Sequence, residues 1–125
     1  MSEGIRSYRD LGAWQQARIL VRMVYEGSLD FPPDERFGLT AQIRRAAVGV
    51  ASNIAEGYGR GGHRDYGRFL RIARGSLFEV ETQLILANDL GFVASQRFDT
   101  IMEQINTTAK PLAGLIRAVE QSMGN

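Results

Sequence analysis

The chain contains no cysteine, which excludes disulfides, thiolate metal sites and cysteine nucleophiles. Histidine occurs once, at His63, lysine once, at Lys110, and proline three times, at Pro32, Pro33 and Pro111. No apolar run approaches the roughly 20 residues that span a bilayer, so no membrane partner is expected. The opening Met1-Ser2-Glu3-Gly4 has no apolar stretch of the secretory kind, and a cytoplasmic location is the expectation. No segment sustains the alternation of a half-buried strand. The shortage of histidine also limits chemistry. A di-iron bundle needs Glu-x-x-His on two helices, and none of Glu79, Glu81 and Glu103 has a histidine three residues on. His63 has no nucleophile elbow around it and reads as a solvated turn residue. A small helical ribonuclease built on an Arg-x4-6-His motif is not matched, because Arg60 and His63 are only three apart. No enzyme activity, metal or cofactor is therefore expected.

What is present is charge, unevenly placed. Residues 1–35 hold four arginines against six acids (−2), residues 36–74 eight arginines against Glu56 and Asp65 (+6), and residues 75–125 three bases against six acids (−3); these sum to the formal net charge of +1. A basic centre between acidic ends points either to an anionic partner or to pairing of the middle with the ends, within a chain or between chains. Fourteen of the fifteen basic side chains are arginine. The planar guanidinium suits bidentate phosphate or carboxylate contacts. A genomic base-composition bias yields the same excess with no function attached.

At 125 residues the size prior gives one domain. Four segments carry helical periodicity, predicted over about 8–29, 35–57, 63–90 and 95–123. In the first, Leu11, Trp14, Ala17 or Arg18, Val21 and Val24 or Tyr25 recur at three- and four-residue steps, with Ser7 or Asp10 as caps. Pro32-Pro33 ends it. In the second, Asp34 is the expected cap. Leu39, Ile43, Ala46, Ala47, Val50 and Ile54 form one face, and Val48, Ala51 and Ala55 another. A helix apolar nearly all round is central in a core or covered by a second subunit. The third carries Phe69, Ala73, Ser76 or Leu77, Val80, Leu84 and Ala87, and ends where Gly91 can adopt a left-handed cap with Phe92 packing back. The fourth starts at Ser95, the expected cap. It carries Phe98, Ile101 or Met102, Ile105, Leu112, Leu115 or Ile116, Val119 and Met123, with a kink expected at Thr107–Lys110 because Pro111 frees the Thr107 carbonyl. Short connections favour antiparallel neighbours. The predicted fold class is all-α, an up-down-up-down antiparallel four-helix bundle.

The stretch Asn53 to Tyr66, "NIAEGYGRGGHRDY", invites a phosphate-loop reading. Such a loop needs a strand before it and a helix after it; here a helix precedes, and no Gly-Lys-Ser/Thr is present. Gly57 instead reads as the left-handed cap of the second helix, and Gly59, Gly61 and Gly62 as a turn. The start of the third helix still presents free backbone N–H groups beside Arg60 and Arg64, a combination that attracts anions. Arg64, Arg68 and Arg71 share one face at i, i+4 and i+7, and Tyr58 and Tyr66 lie close in sequence. Arginines with nearby aromatics are the ingredients of phosphate neutralisation and base stacking; a solvated face with local ion pairs is the competing reading. Asn53, Glu56 and Glu79 sit on or beside apolar faces and need partners; Arg44 or Arg45, in the same bundle or a neighbouring one, suits that role better than acid–base catalysis does.

Two blocks, "GLTAQIRRAAVGVASNIAEG" (38–57) and "FLRIARGSLFEVETQL" (69–84), resemble the four-helix bundle proteins encoded in intervening sequences of 23S ribosomal RNA genes, and the resemblance extends from about Tyr8 to Val119. It implies a helical bundle that assembles into a ring, a pentamer, and it implies no established activity. The related accessory variability determinant of diversity-generating retroelements has a similar bundle and ring, binds nucleic acid and partners a reverse transcriptase. By that resemblance the family's basic motif falls on Arg44 and Arg45, its "AEG" on Ala55, Glu56 and Gly57, the following arginine on Arg60, and "GSLFE" on Gly75 to Glu79. Gly49 and Ala51 depart from the serine and proline common there, which puts the helix-two geometry in question but not the fold. The combined expectation is a ring-forming homo-oligomer that binds RNA or DNA, RNA foremost, through Arg44, Arg45, Arg60, Arg64, Arg68 and Arg71. Glu56, Glu79 and Asn53 serve oligomer or ion-pair contacts. The alternative is a structural or adaptor oligomer without a nucleic-acid ligand, its arginines used in subunit ion pairs.

Overall fold

The computed structural model describes residues 4–123, the last of these by backbone alone; the first three residues and the Met123 side chain, read above as the end of the fourth stripe, lie outside the described residues. Four helices account for most of it: α1 (Gly12–Ser28), α2 (Leu39–Gly59), α3 (His63–Asp89) and α4 (Ser95–Met123). Single 3-10 turns at Tyr8–Asp10 and Pro33–Glu35 precede α1 and α2. Among the described residues there is no strand, and no helix is long and apolar enough to cross a membrane.

Local chemistry explains each boundary. The Ser7 hydroxyl accepts from the Arg9 N–H at 3.1 Å, and the Asp10 carboxylate accepts from the Arg6 and Ser7 N–H groups. This capping box closes the first turn, so α1 proper starts at Gly12 and not near Tyr8. α2 begins four residues later than predicted. After Pro32-Pro33 the chain makes one tight turn, and the cap is the Glu35 carboxylate, which accepts from the Leu39 N–H at 2.9 Å; Asp34 plays no such part. At the end of α3 the Phe92 N–H donates to the Ala87 carbonyl and the Gly91 N–H to Asn88. Gly91 takes φ +77°, the left-handed closure expected there, and the Phe92 ring lies 6.0 Å from Phe31. At the start of α4 the first bond runs from the Phe98 N–H to the Ala94 carbonyl, so Ser95 is the first helical residue and not the cap. α4 continues through Pro111 as one helix.

The core is one cluster drawn from all four helices. Leu20, Ile43, Ile54, Leu70, Leu84 and Leu112 are fully buried, each contributing about 1.5–3 kcal/mol relative to exposure. The predicted stripes are recovered with shifts of one position: α1 buries Ala13, Leu20 and Val24 while Trp14 and Val21 are only half-buried, and α3 buries Leu70 where Phe69 was expected. Neighbouring helices pack as α1 with α2, α2 with α3, α3 with α4 and α4 with α1, the α2–α3 contact being the most extensive. Contacts run in opposite senses along two of these pairs. On α1 and α4, Gly12 faces Pro111 while Gly27 faces Ile101; on α2 and α3, Gly49 faces Ser76 while Gly57 faces Phe69. The Gln104 side chain bridges α4 to α1 by donating to the Gln16 backbone and side-chain oxygens at 3.1 and 2.9 Å.

Candidate nucleic-acid interface

The basic residues gather around the α2–α3 junction, and the glycines set its geometry. Gly57 is not the left-handed cap expected of it. It lies buried inside α2, where a β-carbon would stand 2.9 Å from Phe69 Cβ and 3.2 Å from the Tyr66 carbonyl; its role is close helix approach. The chain reversal falls on Gly61, at φ +87°. Gly62 then opens α3, its carbonyl accepting from the Tyr66 N–H at 2.9 Å. Asp65 sits in the first turn of α3, where its charge complements the helix dipole.

Arg60 stands at the turn. It donates to Glu56 at 3.3 Å and to Asp65 at 3.4 Å, and its guanidinium lies 5.3 Å from the Phe69 ring centre. Arg68 pairs with the other Asp65 oxygen at 3.5 Å and lies 4.5 Å from the same ring. Arg71 pairs across to Glu120 on α4. Arg64 is exposed and makes no ion pair among the described residues. Arg60, Arg64, Arg68 and Arg71 are thus brought to one wall, three of them already touching a carboxylate.

Arg44 and Arg45 part company. Arg44 is half-buried and turned onto α1: its Nε donates to the Ser28 hydroxyl at 2.8 Å, and it lies 4.7 Å over the Tyr25 ring. It belongs to the α1–α2 contact. Arg45 is exposed and lines a groove of about 370 Å³ between α2 and α3 with Gln42, Ser76, Glu79 and Gln83. Glu79 lines the same groove without an ion pair among the described residues. Glu56 pairs with Arg60, not with Arg44 or Arg45. The Asn53 amide donates to the Gly49 carbonyl one turn back at 2.7 Å and needs no arginine.

The aromatics are arranged differently from the sequence expectation. Tyr58 and Tyr66 are half-buried and pack edge-on at 6.1 Å, so each is held against the other and neither stands clear of the bundle as an exposed ring does. Burial, and secondarily the Tyr58 phenol, push the Tyr66 hydroxyl from its ordinary 10.0 up to about 12. His63 is exposed at a shallow pocket of about 140 Å³ with Tyr58, Gly61 and Tyr66. Among the described residues no cluster of three or more His, Asp or Glu side chains could hold a metal ion.

Two residues of this wall were missed. Arg74 is exposed and unpaired among the described residues, and Phe78 is 58 % exposed. The signal for Phe78 was present: Arg64, Arg68, Arg71, Gly75 and Phe78 follow alternating steps of four and three, the spacing of a single helix face, and Arg74 lies one turn before Phe78 beside that row. Arg45, Arg60, Arg64, Arg68, Arg71 and Arg74, set against Glu56, Asp65, Glu120 and the unpaired Glu79 of the Arg45 groove, leave these side chains with a net charge of +2 among the described residues.

A family model described as 23S rRNA-intervening sequence protein matches residues 9–114, a span that contains the whole of this wall apart from Glu120. No curated protein matches the chain.

Proposed function

Because the chain belongs to the 23S rRNA-intervening sequence protein family, we propose that it is a non-enzymatic, oligomeric helical protein that binds nucleic acid, RNA foremost, through the arginine wall of α3 and the α2–α3 turn. The observation that carries this reading is the exposure of Arg64, Arg68, Arg71 and Arg74 on one helix. Their neutralisation by carboxylates is incomplete, and exposed ion pairs contribute only about 0–1 kcal/mol, so a phosphate can displace them. Contacts of this type neutralise backbone charge and carry little sequence information. The bundle reads as up-down-up-down and antiparallel, supported by the opposed contact order along α1–α4 and α2–α3. Assembly into a ring, with five subunits as the family resemblance implies, is supported by the second apolar face of α2: Val48 is 40 % exposed, and Ala51 and Ala55 beside it are not fully buried by the chain's own helices.

Binding of a labelled RNA at low ionic strength tests the proposal. The protein is expected to bind, and the Arg64→Ala, Arg68→Ala, Arg71→Ala triple variant is expected to lose most of that affinity. Failure of the unaltered protein to bind at low salt would overturn it.

The pairing of Arg60, Arg68 and Arg71 with carboxylates favours a second reading, a structural oligomer whose arginines serve ion pairs. Arg45, which like Glu79 beside it has no ion pair among the described residues, is its key residue. On this reading Arg45→Ala dissociates the particle by light scattering; on the first, the particle keeps its mass.

A further inference from the structure

Resting on the nucleic-acid reading, we infer that the ligand of this wall is a single strand and not a duplex, and that Phe78 is the platform on which one of its bases stacks. The outer stripe of α3 reads Arg64, Arg68, Arg71, Gly75, Phe78, every member exposed. The row from Arg64 to Phe78 covers about 21 Å at 1.5 Å per residue. Its first three members supply positive charge. Arg74, one helical turn before Phe78, adds a fourth guanidinium without an ion-pair partner among the described residues. Arg68 and Arg71 share their charge with Asp65 and Glu120, and Glu79, one turn beyond Gly75, adds an exposed carboxylate; the guanidiniums of Arg64 and Arg74, without ion-pair partners among the described residues, still leave the row net positive, which favours a polyanion.

Gly75 distinguishes this stripe from an ordinary basic face. It stands in the interior of α3, where glycine costs about 0.5–1 kcal/mol relative to alanine. A β-carbon placed there meets nothing within 4 Å. No contact within the chain requires the small residue, in contrast to Gly57 and Gly49, which face Phe69 and Ser76. The bare helix surface at Gly75 lies between the arginines and the Phe78 ring, and it lets a sugar–phosphate chain pass close to the backbone on its way from one to the other.

Phe78 completes the argument by elimination among the aromatics near the arginines. Tyr58 and Tyr66 are packed against each other, and the Phe69 ring carries the guanidinium groups of Arg60 and Arg68. Phe78 is the exposed ring on the row itself. Bases paired inside a duplex present edges, not faces. Away from the ends of a duplex, a ring on a convex helix can stack only on a base that is unpaired.

The test compares a fluorescein-labelled oligouridylate with a duplex RNA of the same length by anisotropy at low salt, with particle mass followed by sedimentation. The protein is expected to prefer the single strand. Phe78→Ala and Phe78→Leu are each expected to weaken single-strand binding by about tenfold, to leave duplex binding unchanged, and to leave the mass unchanged; Phe78→Trp is expected to retain or improve it. Gly75→Gln, whose β-carbon meets nothing within 4 Å at this exposed position, is expected to fold normally and to weaken the single strand selectively. Equal affinity for both RNAs that is insensitive to Phe78 would overturn this inference while leaving the basic-wall reading intact. Loss of particle mass in Phe78→Ala, or rescue of binding by leucine, would also overturn it, assigning Phe78 to a subunit contact. Absence of binding to either RNA removes both readings together.

Discussion

At Gly57 a methyl group has nowhere to go. Its β-carbon would stand 2.9 Å from another β-carbon and 3.2 Å from a backbone carbonyl, neither of which is the free end of a flexible side chain. Gly57→Ala is therefore expected to destabilise the protein by about 1–3 kcal/mol, read as a lower urea midpoint. Gly75→Ala is expected to do the reverse, stabilising by about 0.5–1 kcal/mol. From sequence both are simply glycines in or near helices. The misassignment of Gly57 as a cap arose because a glycine that ends a helix and one that admits a neighbour leave the same letter, and only the facing residues tell them apart. Tyr66 makes a further residue-scale prediction. Its hydroxyl is held neutral up to about pH 12 while an unfolded tyrosine ionises near 10.0. A raised folded pKa means that the associated stability is fully present below pH 10 and is lost as pH rises toward 12. Ultraviolet titration should show a tyrosine step near pH 12, and Tyr66→Phe should remove that step.

The elements were largely legible because burial imposes the 3.6-residue period. Ile43, Ala47, Val50 and Ile54 on α2, and Ala73, Leu77, Val80, Leu84 and Ala87 on α3, are buried as spaced. The Gly91 closure was equally readable, since a left-handed glycine followed by a large apolar residue has one principal use. The start of α2 was not. Two prolines fix an extended entry and a tight turn, and the cap then comes from Glu35, a residue of no special preference for caps. Within α4, Pro111 removes the bond to the Thr107 carbonyl, and its ring lies opposite Gly12, whose β-carbon position is 3.9 Å away. Pro111→Ala restores that bond. It is expected to raise stability by about 1–3 kcal/mol, measured by chemical unfolding.

For the whole molecule, the sequence located the basic third of the chain but not its internal accounting. Arg44 and Arg45 are adjacent in sequence, yet one docks on α1 and the other faces the α2–α3 groove, a split that follows from the 100° turn between neighbouring helical residues. The Arg71–Glu120 pair joins residues 49 apart and was beyond reach of any local pattern. What remains after these pairs is a net positive wall, and its meaning rests on whether it releases counterions from a polyanion. The most direct test is the salt dependence of RNA binding. For a single strand the logarithm of the affinity falls with the logarithm of salt concentration at about 0.7 per phosphate neutralised. A steep line is expected for the unaltered protein, and one flatter by about two units when Arg64, Arg68 and Arg71 become alanine. A flat line for the unaltered protein, or an identical slope in the variant, would contradict the nucleic-acid reading.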